Sequence, residues 1–122
     1  MRLSYKLKFF YNKLQAFVEY AVFIWKEDIY REYDYWFIYK FLKFKLKRMI
    51  PIWKQGIHIE SEKDLRKMEE AVALLERYEL LDEFGYSDCQ TKEDYEKVIL
   101  EMNSTWDEFH NLLRDESRRW WY

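Results

Sequence analysis

An all-α fold, a compact bundle of about four helices that gains from oligomerising, is what this chain predicts, on three observations. Two Gly and one Pro in 122 residues are too few for a turn-rich β fold. Apolar residues recur at alternating steps of three and four over long stretches. Ser61 with Asp64, and Thr91 with Asp94, have the spacing of capping boxes, in which two side chains satisfy free amides at a helix start. The length suits one domain, residues 1–122. A core that small is modest, which is why self-association is expected.

The first helix is predicted over residues 3–24. Leu3, Leu7, Phe10, Leu14, Phe17, Ala21 and Ile24 form one stripe, widened by Val18 and Trp25, with Lys6, Lys8 and Lys13 off it. Such a helix could lie on a membrane surface. The acidic helices downstream offer it a ready partner, so burial against them is expected instead. The charged run KEDIYREY (26–33) redirects the chain, and Asp34 fits as the N-cap of a second helix.

That helix lies in DYWFIYKFLKFKLKRMIPIWK (34–54), which carries six Lys and Arg and no acid after Asp34. Ile38, Leu42, Leu46 and Met49 with Tyr35 make one apolar face, and Phe37, Phe41 and Phe44 another. Two apolar faces call for neighbours on two sides, making this the central helix. Lys40, Lys43 and Lys47 share a polar strip expected to face solvent, whereas Lys45 and Arg48 point where the two faces meet. Pro51 should end or kink the helix. A connector, 51–59, holds Trp53, Gly56 and His58.

The third helix opens at Ser61. Leu65, Met68, Val72 and Leu75 form one row, and Ala71, Leu74, Tyr78 and Leu81 a second. Glu79 and Asp82 fall inside the apolar arc, where an acid needs a cation. Gly85 is placed to stop this helix in a left-handed conformation. After a loop at 85–90, the fourth helix runs from Thr91 with Tyr95, Ile99, Met102, Trp106, Phe109 and Leu113 as its stripe. The chain closes on RDESRRWWY, where Trp120, Trp121 and Tyr122 should dock on the body or form an interface.

Charge is unevenly spread. Residues 1–54 hold 12 Lys/Arg against 5 Asp/Glu, net +7, and residues 55–122 hold 9 against 18, net −9. The halves should attract. The overall charge of −2 argues against a general nucleic-acid binder. A single cysteine, Cys89, rules out an internal disulfide and suits a reducing compartment. The basic start MRLSYKLKFF is followed by a stretch interrupted by Lys13 and Glu19, without a cleavage site. A cytoplasmic protein is expected.

Catalytic constellations are thin, so a non-enzymatic protein without a cofactor is expected. Asp107-x-x-His110 has metal-ligand spacing, but a di-metal bundle needs a second such pair and more carboxylates. No glycine-rich phosphate loop or nucleophile elbow occurs. The acids around Cys89 should raise its pKa and so quench it. Binding is better supported. Lys45, Arg48, Arg77 and His58 are cations near Trp36, Trp53 and Tyr78, and a phosphate joined to a base needs cations and stacking surfaces. The structural alternative is that Lys45 and Arg48 pair with Glu79 or Asp82 and only tie helices together.

IWKEDIYREYDYWF, KFKLKRM, GIHIESEKD, LRKMEEAVALLER and the terminal RRWWY resemble, in that order, motifs of a group of small tailed-bacteriophage proteins. The likeness covers residues 22–82 and the last three. It implies a phage origin and a host-cytoplasm location, with no established activity, and matches Trp25, Arg31, Asp34, Lys45, Arg48, His58, Arg77, Trp120 and Trp121. Small oligomeric phage proteins with basic, aromatic pockets trap nucleotide-derived immune signals. By that analogy the chain is expected to be a counter-defence sponge for a small anionic ligand, with Arg31 added to the ligand set. The alternative is a module that docks on a host protein through its aromatic surface and RRWWY.

Overall fold

The computed structural model describes residues 2–27, 36–54 and 61–120. They form four helices, α1 (Arg2–Lys26), α2 (Trp36–Lys54), α3 (Ser61–Phe84) and α4 (Lys92–Glu116), followed by a 3-10 turn at Ser117–Arg119. No strand occurs among the described residues. The all-α expectation therefore holds. No helix among them is long and apolar enough to cross a membrane. The chain divides into two compact units, Met1–Phe37 and Ile38–Tyr122.

In the first unit, α1 forms over the expected stretch, but the stripe does not become its covered side. Leu3, Leu7, Phe10, Leu14, Phe17, Ala21 and Ile24 are all exposed. The half-buried positions are Ala16, Tyr20, Phe23 and Glu27. They form their own line, about 120–130° around the helix from the stripe. Within its own unit, then, the stripe stays uncovered. The bend at 28–35, with the Asp34 cap, lies outside the described residues.

The second unit is built on α2. Tyr39, Leu42, Leu46, Met49 and Trp53 advance by threes and fours and form its inner line. Leu46 and Trp53 are buried and the other three half-buried. Ile38, expected in that row, is exposed. The phenylalanine face is partly covered too, with Phe41 and Phe44 half-buried. Pro51 does not end the helix, which continues to Lys54. So near the C-terminus a proline forfeits one intrahelical bond, to Lys47, and leaves the rest intact. The predicted connector therefore begins four residues later, and its remainder, with Gly56 and His58, lies outside the described residues.

Helix α3 runs antiparallel to α2, tied by Lys43–Glu79 at 2.8 Å, Lys47–Glu76 at 2.8 Å and Lys54–Glu69 at 3.5 Å. Its two predicted rows supply most of the core. Met68, Ala71, Val72, Leu74 and Leu75 are buried, while Leu65, Tyr78 and Leu81 are half-buried. Asp64 is buried at the same end of the helix.

The loop from Gly85 to Thr91 joins α3 to α4. Gly85 does not adopt the left-handed conformation expected of it. Its N–H donates to the Leu81 carbonyl at 2.8 Å, continuing the helical pattern. Glycine is required there for space: a Cβ would collide with the Leu81 carbonyl oxygen and sit 2.8 Å from Val98 Cγ1. The Thr91–Asp94 capping box is complete, each side chain accepting from the other's backbone N–H. Gln90 N–H also donates to Asp94 at 3.1 Å.

On α4 the covered line is Val98, Met102, Thr105, Phe109, Leu112 and Glu116. It lies about 60° around the helix from the predicted stripe. Tyr95 and Ile99, which the stripe placed inside, are exposed, and Thr105 is buried instead. Thr105 fits because its hydroxyl donates to the Glu101 carbonyl at 2.8 Å, one turn back, and leaves only a methyl to pack.

Candidate functional site

The cations of α2 pair differently from the expectation. Lys43 and Lys47, predicted to be the solvated strip, are the residues that pair with α3. Glu79, which the sequence offered to Lys45 or Arg48, takes both its bonds from Lys43, at 2.8 and 2.9 Å. The reason is geometric. Lys43, Lys47 and Lys54 share one direction on the helix, and Lys45 lies about 180° away from it and Arg48 about 120°. Lys45 is exposed, and Arg48 is half-buried with its guanidinium 6.0 Å from the Phe44 ring, a cation–π contact within one helix turn. Asp82 is exposed.

The other expected ligand residues do not gather around Lys45 and Arg48. Arg77 reaches across to α4 and binds Glu101 at 2.6 Å, a hydrogen bond and charge that raise its already high pKa. Trp53 is buried in the core at the end of α2. Tyr78 packs on Trp106 with ring centroids 4.9 Å apart. Trp36 is half-buried and belongs to the first unit. Arg31 and His58 lie outside the described residues. So do Trp121 and Tyr122. Trp120, expected at an interface, is buried within its own chain. Its indole Nε1 has no acceptor among the described residues, and four residues earlier the buried Glu116 Oε2 has among them only Arg119, at 3.6 Å.

What the structure does assemble is an aromatic cluster shared by three helices. Tyr39 of α2 lies 4.5 Å from Trp106 of α4, centroid to centroid, and Tyr78 of α3 covers the other partner position on that indole. His110 completes it. The Tyr39 hydroxyl is 3.0 Å from His110 Nε2, and Nδ1 is 2.9 Å from the Trp106 carbonyl. A carbonyl only accepts, so Nδ1–H donates to it, and Nε2 shares its hydrogen bond with the Tyr39 hydroxyl. Both ring nitrogens are thereby engaged within the cluster. Among the described residues no three His, Cys, Asp or Glu side chains stand close enough to hold a metal. Periodicity singled out Trp106 and Phe109 for the core; the partnership of Tyr39 with His110 went unread. Its signal was the step Tyr39–Leu42–Leu46–Met49–Trp53.

The Cys89 thiol is held above its usual pKa, by burial first and then by the charges of Asp94 and Asp88. It is the poor nucleophile that its acidic neighbours suggested. On its outer side α4 borders an open groove of about 510 Å³ lined by Leu100, Asn103, Ser104, Asp107, Glu108 and Asn111. It is acidic, and wide open to water.

Exposed aromatic surface gathers instead at the α3–α4 turn. The Tyr86 and Tyr95 rings stack at 5.6 Å and 26°, with Phe84 and Ile99 exposed beside them in sequence and helix register. Tyr86 is fixed in place by its hydroxyl, which contacts Met102 Sδ at 3.6 Å. No protein-family model, curated protein or solved structure matches this chain.

Proposed function

We propose that the protein is a non-enzymatic interaction module that docks on another protein through the aromatic edge at the α3–α4 turn. The observation that carries this is the stacked Tyr86–Tyr95 pair, exposed beside Phe84 and Ile99 and held rigid by the hydrogen bond to Met102. Rigid aromatic rings lose little entropy on binding and give large contact areas, which is why they dominate interface hot spots. The residues meant for a nucleotide pocket are otherwise engaged: Trp53 in the core, Tyr78 on Trp106, Arg77 on Glu101. A Phe84→Ser/Tyr95→Ser variant should recover a host partner at least tenfold less well than wild type in a pull-down, with helicity by circular dichroism unchanged, since hot-spot truncations cost about 2 kcal/mol or more. Recovery of the same partners by the variant refutes the proposal.

A second reading keeps the small anionic ligand, nucleotide-derived, as cargo of an oligomeric counter-defence sponge in a phage-infected cell's cytoplasm. It rests on the directions of Lys45 and Arg48, about 180° and 120° around α2 from the lysines that pair with α3. A nucleotide panel should then contain a ligand that raises the Tm of wild type and not of Arg48→Ala. A flat panel removes it.

A further inference from the structure

We infer that α1 is a peripheral membrane anchor, lying along an anionic lipid surface with its apolar stripe in the headgroup–acyl boundary. The stripe is fully presented: Leu3, Leu7, Phe10, Leu14, Phe17 and Ile24 are between 46% and 71% exposed, and Trp25 is 86% exposed. Helices expose single apolar residues routinely, but not a continuous row along their whole length. From Leu3 to Ile24 the row is about 32 Å long. Lys6, Lys8, Lys13 and Glu19 interrupt the helix as a span, so it suits lying on a bilayer and not crossing one.

Charge selects the occupant. Residues 2–26 hold five Lys/Arg and one acid, Glu19, so α1 carries net +4 and its first seventeen residues contain no acid. Lys6 and Lys13 fall along one border of the apolar arc, where their stems can follow the surface while the ammonium groups reach lipid phosphates. The acids that the C-terminal half offered are in part already used, since Glu69, Glu76 and Glu79 hold α2 lysines and Glu101 holds Arg77. A second copy of α1 fits the stripe less well. Face-to-face stripes would set two helices of net +4 against each other, and Glu19 lies about 160° from the stripe's centre, too far round to neutralise them. An anionic bilayer supplies both the apolar layer and the countercharge.

The full chain should be sedimented with vesicles of pure phosphatidylcholine and with vesicles about one-third phosphatidylglycerol. Binding to the anionic vesicles alone is expected, weakening as salt is raised. Leu14→Glu/Phe17→Glu should abolish it with helicity retained. Lys6→Ala/Lys8→Ala/Lys13→Ala, which leaves the stripe untouched, should lower partition on the order of a hundredfold. No binding to the anionic vesicles overturns the inference, as does binding that the stripe variant leaves unchanged. If the stripe variant instead turns a wild-type dimer into a monomer on light scattering, while vesicles stay unbound, the stripe belongs to a second copy. The α3–α4 aromatic edge is in the other unit, so the two tests fail separately.

Discussion

At the scale of single residues, Gly85 and Asp94 show how one turn is held. Gly85→Ala has no left-handed backbone to defend; it fails because its methyl would meet the Leu81 carbonyl, which cannot swing aside, and Val98. We expect a loss of about 1–3 kcal/mol, read as a fall in Tm of several degrees. A Gly85→Ala protein melting with wild type would contradict this packing. Asp94 accepts from the backbone N–H groups of Gln90 and Thr91, then from the Thr91 hydroxyl, and these hold its pKa below the ordinary carboxylate value. A depressed folded pKa means the stabilisation is complete above the unfolded value of about 3.9 and is lost as pH falls through the folded one. The gap in Tm between wild type and Asp94→Ala should therefore be open at neutral pH and close in strong acid. The cap was readable from the residues because its donors and acceptors sit three apart. The glycine was half readable: its position was right, while its reason depended on Val98, thirteen residues away.

At the scale of elements, helix existence followed from periodicity, and so did extent except at Pro51, whereas helix phase was right for α3 and wrong for α4. The stripe on α4 was read from its largest side chains, Tyr95, Trp106 and Phe109. The buried line includes Val98, Thr105 and Leu112. A threonine looks polar in a list of letters and becomes apolar once its hydroxyl is satisfied at Glu101. Phe109→Ala, at a position 1% exposed, should cost about 3–5 kcal/mol, whereas Ile99→Ala should stay within about 1 kcal/mol. Denaturant titrations of the two variants decide which phase is real. The same shift explains the α2 cations: a wheel divides charges by direction, but which direction meets the acidic helix depends on where Leu46 and Trp53 sink.

At the scale of the molecule, the attraction between basic and acidic halves is expressed as discrete pairs. Most are open to water and worth little. Lys47→Met should change stability by less than about 0.5 kcal/mol, because Lys47 and Glu76 are both well exposed. Lys43→Met should cost about 1 kcal/mol or more, since Glu79 would be left partly desolvated without its partner. Equal effects would mean that burial does not grade these pairs.

The ladder of lysines and glutamates between α2 and α3 is also degenerate. Sliding α3 by one turn would set Lys43 against Glu83 and Lys47 against Glu79, so two of three rungs survive the slip. Electrostatics can therefore bring the helices together head to tail, yet cannot tell the native alignment from its neighbour. That choice falls to shape, to the buried side chains of Leu46 and Trp53 on α2 and of Met68 and Leu75 on α3. Variants that trim Leu46 and Trp53 are the ones in which this protein should begin to sample a misaligned state that keeps two of the three pairs.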